Sequence, residues 1–165
     1  MDEIANPDQL LEKLAADLKQ LLDERNIDDP LMVGIHTGGA WIADILHEKL
    51  GIARPLATLD ISFYRDDFSR IGMNPKVKPS SLPPQVEDRH IILVDDVLQT
   101  GRTIRAAMNE IFDYGRPASI TLVCLVDRSG RELPIQADII GQHLQLGPRQ
   151  HIKLSGPRPL DFVVT

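Results

Sequence analysis

The stretch "IILVDDVLQTGRT", Ile91–Thr103, decides how the chain is read. An apolar run of strand length ends in two adjacent carboxylates, Asp95 and Asp96, and a Thr-Gly-Arg-Thr turn leads straight into a helical pattern. In open α/β sheets ligands gather at the carboxyl ends of the strands. Thr100, Gly101, Arg102 and Thr103 stand there at a helix start, where free backbone N–H groups and the positive end of the helix dipole favour a phosphate. Gly101 lets the backbone come close to the anion. A bare phosphate would be repelled by the two aspartates, so they suit a ligand that also carries hydroxyl donors, which ionised carboxylates can only accept. A ribose 5-phosphate has that shape. The competing reading, an acid pair that caps the helix, is weakened by its distance from Thr103.

Outward from this stretch the chain alternates between strands and helices. Asn6 caps a first helix with Pro7 at its first position and Gln9 at the capping-box position; Leu10, Leu11, Leu14, Leu18, Leu21 and Leu22 make one apolar face. Strands are expected at 31–35, 56–64, 90–94 and 119–126, and helices at 40–50 and 103–114. Gly51 and Gly115 act as helix stops. Gly38 and Gly39 read as a turn. "ADIIG", "HIKL" and "DFVV" add shorter β-like pieces near the C-terminus. Strands separated by helices imply a parallel sheet covered on both faces. The expected fold is therefore α/β, doubly wound, with a small β-rich appendage, in a single domain over residues 1–165.

Residues 65–87 break the pattern with Gly72, four prolines and few large apolar side chains. So long a structureless loop in a compact domain reads as a functional lid, the alternative being a disordered insertion.

Composition sets bounds. The 165 residues are 42% hydrophobic and 25% charged, an ordinary globular balance for one core. No apolar run approaches the roughly 18 residues a membrane span needs. "MDEIANPDQL" is acidic and has no apolar signal core, so export is not expected and a cytoplasmic location is. Cys124, the only cysteine, sits within an apolar run and reads as a buried core thiol. A formal net charge of −6 argues against broad nucleic-acid binding. The histidines show no metal-ligand spacing. Trp41 reads as core or subunit-interface packing.

"ILVDDVLQTGRT" resembles the phosphoribosyl-pyrophosphate (PRPP) motif of type I phosphoribosyltransferases. "LMVGIHTGGAWIADIL" (31–46), "LDISFYRDDFS" (59–69) and "GRPASITLVCLVDRSGRELPIQADIIG" (115–141) narrow the resemblance to the PyrR family, which combines uracil phosphoribosyltransferase activity with regulation of pyrimidine-biosynthesis genes. The resemblance runs from about residue 30 to 142. It implies a reaction of uracil with PRPP and Mg²⁺ to give UMP and pyrophosphate, through an oxocarbenium-like transition state. It implies that Asp95 and Asp96 hold the ribose hydroxyls, and the metal indirectly through PRPP. Val97, Leu98, Gln99 and Thr100 to Thr103 would surround the 5-phosphate, and Thr37, Gly38 and Gly39 would hold pyrophosphate on a loop that in this superfamily often contains a non-proline cis peptide. Residues 64–85 would be the lid with Tyr64 and Arg65 at its hinge, Arg65 serving catalysis. Asp127 to Glu132, with Asp127 and Arg128 as contacts, would form the hood over the base. A homodimer or homotetramer is implied as well.

The sequence also departs from the family. Many members read Thr-Arg-Gly where this chain has Thr37-Gly38-Gly39, so a bidentate partner of pyrophosphate is missing. A slower chemical step is expected, and an arginine at 38 is expected to raise it. RNA-binding members carry basic residues where this chain has His36, Gln136 and Gln142, and an RNA-contacting Thr and His where it has Ala16 and Gln20. These departures and the acidic charge argue against attenuator-RNA binding. Two other functions stay open: a catalytically weak nucleotide-sensing regulator, and a purine phosphoribosyltransferase.

Overall fold

The computed structural model describes residues 3–61 and 86–165. Helix α1 spans Pro7–Glu24, and the Asn6 side chain caps it by accepting from the Asp8 N–H at 2.8 Å. Strand β1 (Leu31–Ile35) leads into helix α2 (Gly38–Leu50), followed by strand β2 (Ala57–Leu59). Strand β3 (His90–Leu98), helix α3 (Arg102–Tyr114), strand β4 (Ser119–Arg128) and strand β5 (Ile139–Leu144) complete the α/β unit. Strands β6 (Ile152–Ser155) and β7 (Asp161–Val164) form an antiparallel hairpin.

The five-stranded sheet has the order β2-β1-β3-β4-β5, parallel throughout. The central stretches of β1, β3 and β4 are apolar because both faces are covered, and successive side chains leave a strand on opposite faces. Met32, Ile92 and Val94 pack with α1, α2 and Leu154 of the hairpin. Val33, Ile91, Leu93 and Cys124 pack on the other face with Ile104, Ala107 and Ile111 of α3. This is the doubly wound arrangement expected, with the β-rich appendage laid on the α1–α2 face.

Two boundaries differ from expectation in ways that matter. Strand β3 does not stop at Val94 but runs to Leu98, because β4 continues beside it and pairs Asp95 with Cys124 and Leu98 with Asp127. Helix α2 begins at Gly38, so the two glycines form its first turn rather than a separate bend. The expected strand at 56–64 is seen as β2 within the described residues. Residues 62–64, the proposed lid and Arg65 lie outside them.

Candidate functional site

Two helix N-termini flank the carboxyl end of β3. On one side Thr37 is the N-cap of α2, joined to His36 by a cis peptide bond, and its side chain makes no capping hydrogen bond. On the other side Gly101 is the N-cap of α3, at φ +94°, and has no side chain to cap with. The first-turn N–H groups of both helices are thus not satisfied by their own cap residues, and each end offers an anion cradle.

Glycine is what lets the first helix approach. A β-carbon on Gly39 would lie 2.6 Å from the Val94 carbonyl oxygen and 2.9 Å from the Asp95 α-carbon. A β-carbon on Gly38 would lie 2.8 Å from the Asp96 carboxyl carbon.

The acid pair is divided between the two cradles. Asp95, only 5% exposed, lines a cleft of about 200 Å³ together with Thr100, Gly101 and Thr103. Its carboxylate accepts from the Asp96 N–H at 2.9 Å. Asp96 stands over Gly38, and its carboxylate accepts from the Val97 N–H at 2.8 Å. Beneath them lies Cys124, paired with Asp95 across the strands. Burial, then Asp95, Asp127 and Asp96, push its thiol well above the usual range, while Arg131 opposes them.

The loop of Gln99 and Thr100 is fastened to the segment that follows β4. The Thr100 carbonyl accepts from the N–H groups of Glu132 and Leu133, both at 3.0 Å, and the Gln99 carbonyl from the Arg131 guanidinium at 2.6 Å. Arg131 also reaches Asp127 at 2.5 Å, and Asp127 faces the His143 ring at 3.0 Å. The Arg102 guanidinium turns to Glu132 at 3.1 Å, and Arg102 is not among the residues that line the cleft. The Thr100 hydroxyl accepts from the Arg102 N–H at 3.1 Å.

The structure thus brings Val97, Leu98, Gln99, Thr100, Gly101 and Thr103 around one cleft with Asp95. Thr37, Gly38 and Gly39 sit across from them beside Asp96. Arg128 is different. It is 4% exposed and its guanidinium donates to the carbonyls of Ser129, Gly147 and Gln150, so it ties β4 to a turn instead of facing a ligand. Arg131, which sequence reasoning could not tell from Arg128, is the arginine that reaches the phosphate loop. Ile152 of β6 also lines the phosphate cleft. No local signal marks it, because it arrives from a hairpin about fifty residues away. Among the described residues no group of three or more His, Cys, Asp or Glu side chains could hold a metal ion.

The face built by α1 and β5 is acidic. A groove there holds Lys13 among Asp17, Glu24 and Asp138, with Gln20 and Gln136. Gln142 is occupied by the N-terminal segment, accepting from the Ala5 N–H at 2.9 Å and donating to the Glu3 carbonyl at 2.5 Å.

Comparison with known proteins agrees with this geometry. The phosphoribosyl transferase domain family matches residues 1–151. A protein named Bifunctional protein PyrR from Nitrosococcus oceani is 59% identical over 161 residues, 96% of this chain and 91% of that protein. Its namesake from Pseudomonas paraeruginosa is 58% identical over 157 residues, 95% and 92% of the two chains. Among solved structures, a hypoxanthine phosphoribosyltransferase from Staphylococcus aureus superposes with a TM-score of 0.68 at 18% identity, covering 87% of this chain and 77% of that one. One from Trypanosoma cruzi gives 0.69 at 17% identity, covering 92% and 85%. At such identities these two speak for the fold alone.

Proposed function

Since the chain belongs to the PyrR family of phosphoribosyltransferases, we propose that it joins uracil to PRPP, giving UMP and pyrophosphate, and takes part in regulating pyrimidine-biosynthesis genes. The observation that carries the reading is the pair of helix N-termini flanking Asp95 and Asp96, at neither of which the N-cap residue makes a side-chain hydrogen bond. PRPP has a matching layout: a phosphate at one end, a pyrophosphate at the other and a diol between.

In this reading the first turn of α3 and Thr100 bind the 5-phosphate, and the first turn of α2 binds pyrophosphate through Thr37, Gly38 and Gly39. Asp95 and Asp96 accept hydrogen bonds from the ribose hydroxyls. Bond formation from uracil N1 to the ribose C1 accompanies loss of pyrophosphate from the same carbon, and the N1 proton is released to the departing pyrophosphate or to water. The protein contributes orientation and fixed dipoles at the two ends where negative charge lies. By holding the ribose hydroxyls, Asp95 and Asp96 would serve Mg²⁺ indirectly through PRPP, and the ion would supply charge neutralisation at the leaving group.

Regulation through direct RNA contact is disfavoured by the acidic α1–β5 groove, where phosphates would meet Asp17, Glu24 and Asp138 against Lys13. Self-association, as a dimer or tetramer, is also proposed. Trp41 is half-buried on α2 beside the hairpin tip, and light scattering at micromolar concentration should give a multiple of the 18.4 kDa chain mass. A single-chain mass would reject it.

The test of function is incubation with PRPP, Mg²⁺ and each free base in turn. UMP is the expected product. GMP or AMP in its place would overturn the reading in favour of a purine enzyme, and UMP binding without turnover would favour a pure nucleotide sensor.

A further inference from the structure

A phosphate cradle made of backbone N–H groups works only if its peptide planes are turned the right way. In a trans peptide the C=O and the following N–H point in opposite directions. The cis bonds among the described residues are elsewhere, at His36-Thr37, Gly156-Pro157 and Arg158-Pro159, so the Gln99–Thr100 and Thr100–Gly101 peptides are trans. Fixing the direction of a carbonyl in this loop therefore fixes the direction of the next N–H.

We propose that Arg131 is a positioning residue that aims the Thr100 N–H into the 5-phosphate cradle by holding the Gln99 carbonyl away from it. Its guanidinium donates to that carbonyl at 2.6 Å and is itself anchored by Asp127 at 2.5 Å. The anchor is rigid: Asp127 lies on β4, paired with Leu98 on β3. The next peptide is held independently, because the Thr100 carbonyl takes the N–H groups of Glu132 and Leu133. Arg131 thus governs one donor of the cradle and the hood backbone governs the other. Lysine keeps the charge and can donate to two acceptors from one nitrogen, as Lys13 does to Asp17 and the Ile140 carbonyl, but lacks the two separate N–H arms of a guanidinium.

The proposal rests on the 5-phosphate reading of this cleft. Its test uses ¹⁵N-labelled full-length protein as wild type, Arg131→Ala and Arg131→Lys, titrated with UMP and, separately, with uridine, beside a melting curve. In the wild type, UMP should shift the Thr100 and Gly101 amide resonances. In Arg131→Ala the Thr100 shift should be lost and the Gly101 shift kept, with UMP affinity down about tenfold and uridine affinity unchanged. Arg131→Lys should recover part of the UMP affinity. Equal UMP affinity with an intact Thr100 shift in Arg131→Ala overturns the proposal. So does an equal loss of uridine affinity, which would make Arg131 a base-side group. If the alanine variant melts far below wild type, Arg131→Met, which keeps an apolar stem but has no donor, decides in its place: a Thr100 shift and UMP affinity matching wild type reject the proposal. Wild-type protein that fails to bind UMP overturns the phosphate reading itself, and the proposal with it.

Discussion

Asp96 occupies the space directly over Gly38: a β-carbon there would stand 2.8 Å from the Asp96 carboxyl carbon and 3.1 Å from its β-carbon. The rate gain expected of an arginine at 38 therefore requires the Asp96 side chain to move. A side chain would have to push Asp96 aside before its guanidinium could serve pyrophosphate. Gly38→Arg should therefore lower UMP affinity and turnover together, and Gly38→Ala should destabilise by ~1–3 kcal/mol, the range for overpacking. A double-mutant cycle checks the cause. In an Asp96→Ala background the cost of Gly38→Ala should shrink, and full additivity would mean the two residues do not meet.

Asp95→Asn and Asp96→Asn should each weaken UMP binding by ~1.5–3 kcal/mol, the range for hydrogen bonds to charged groups. Asparagine keeps an oxygen that can still accept from the Asp96 or Val97 N–H, so the strand end should hold its shape. Calorimetry should show weaker binding with a nearly unchanged melting temperature. Unchanged affinity in both variants rejects the ribose assignment.

Gly101→Ala tests the second cradle. Its φ of +94° is one that other residues rarely adopt, and a β-carbon would lie 3.0 Å from Ile135. The expected loss is ~1–3 kcal/mol, readable in urea unfolding, together with weaker binding of UMP. A variant as stable as wild type would show that the turn tolerates another geometry.

Cys124 gives a prediction in pH. Its folded-state pKa is raised above the ordinary thiol value of 9.0, first by burial and then by Asp95. The contribution is fully present below 9.0 and is lost as pH rises toward the folded value, because only the unfolded chain then ionises. At about pH 10 the wild type should have lost more stability than Cys124→Ala has, by roughly 1 kcal/mol, relative to each protein at about pH 8. Parallel pH profiles would show that the native thiol ionises normally.

Much of the fold was legible in the sequence because its signals are local. The leucine stripe of α1, the capping Asn6, the unbroken apolar runs of β1 and β4 and the Thr-Gly turn before α3 each depend on neighbours a few residues away. The acid pair beside the Thr-Gly turn was readable for the same reason.

What tertiary structure alone decided is how those residues face one another. Strand β3 runs on through Asp95 and Asp96 because β4 pairs with it that far, and a continuing strand sends adjacent side chains apart. Asp95 therefore lines the cleft at the Thr-Gly turn, its Oδ1 reaching the space beside Gly39, while Asp96 stands over Gly38. Arg128 and Arg131 are indistinguishable by composition, yet one is buried on three carbonyls and the other bridges Asp127 to the Gln99 carbonyl. Local sequence carries backbone preference and apolar period. It does not carry which distant carbonyl a guanidinium will find, because that is settled only when the sheet brings residues some thirty positions apart into hydrogen-bonding range.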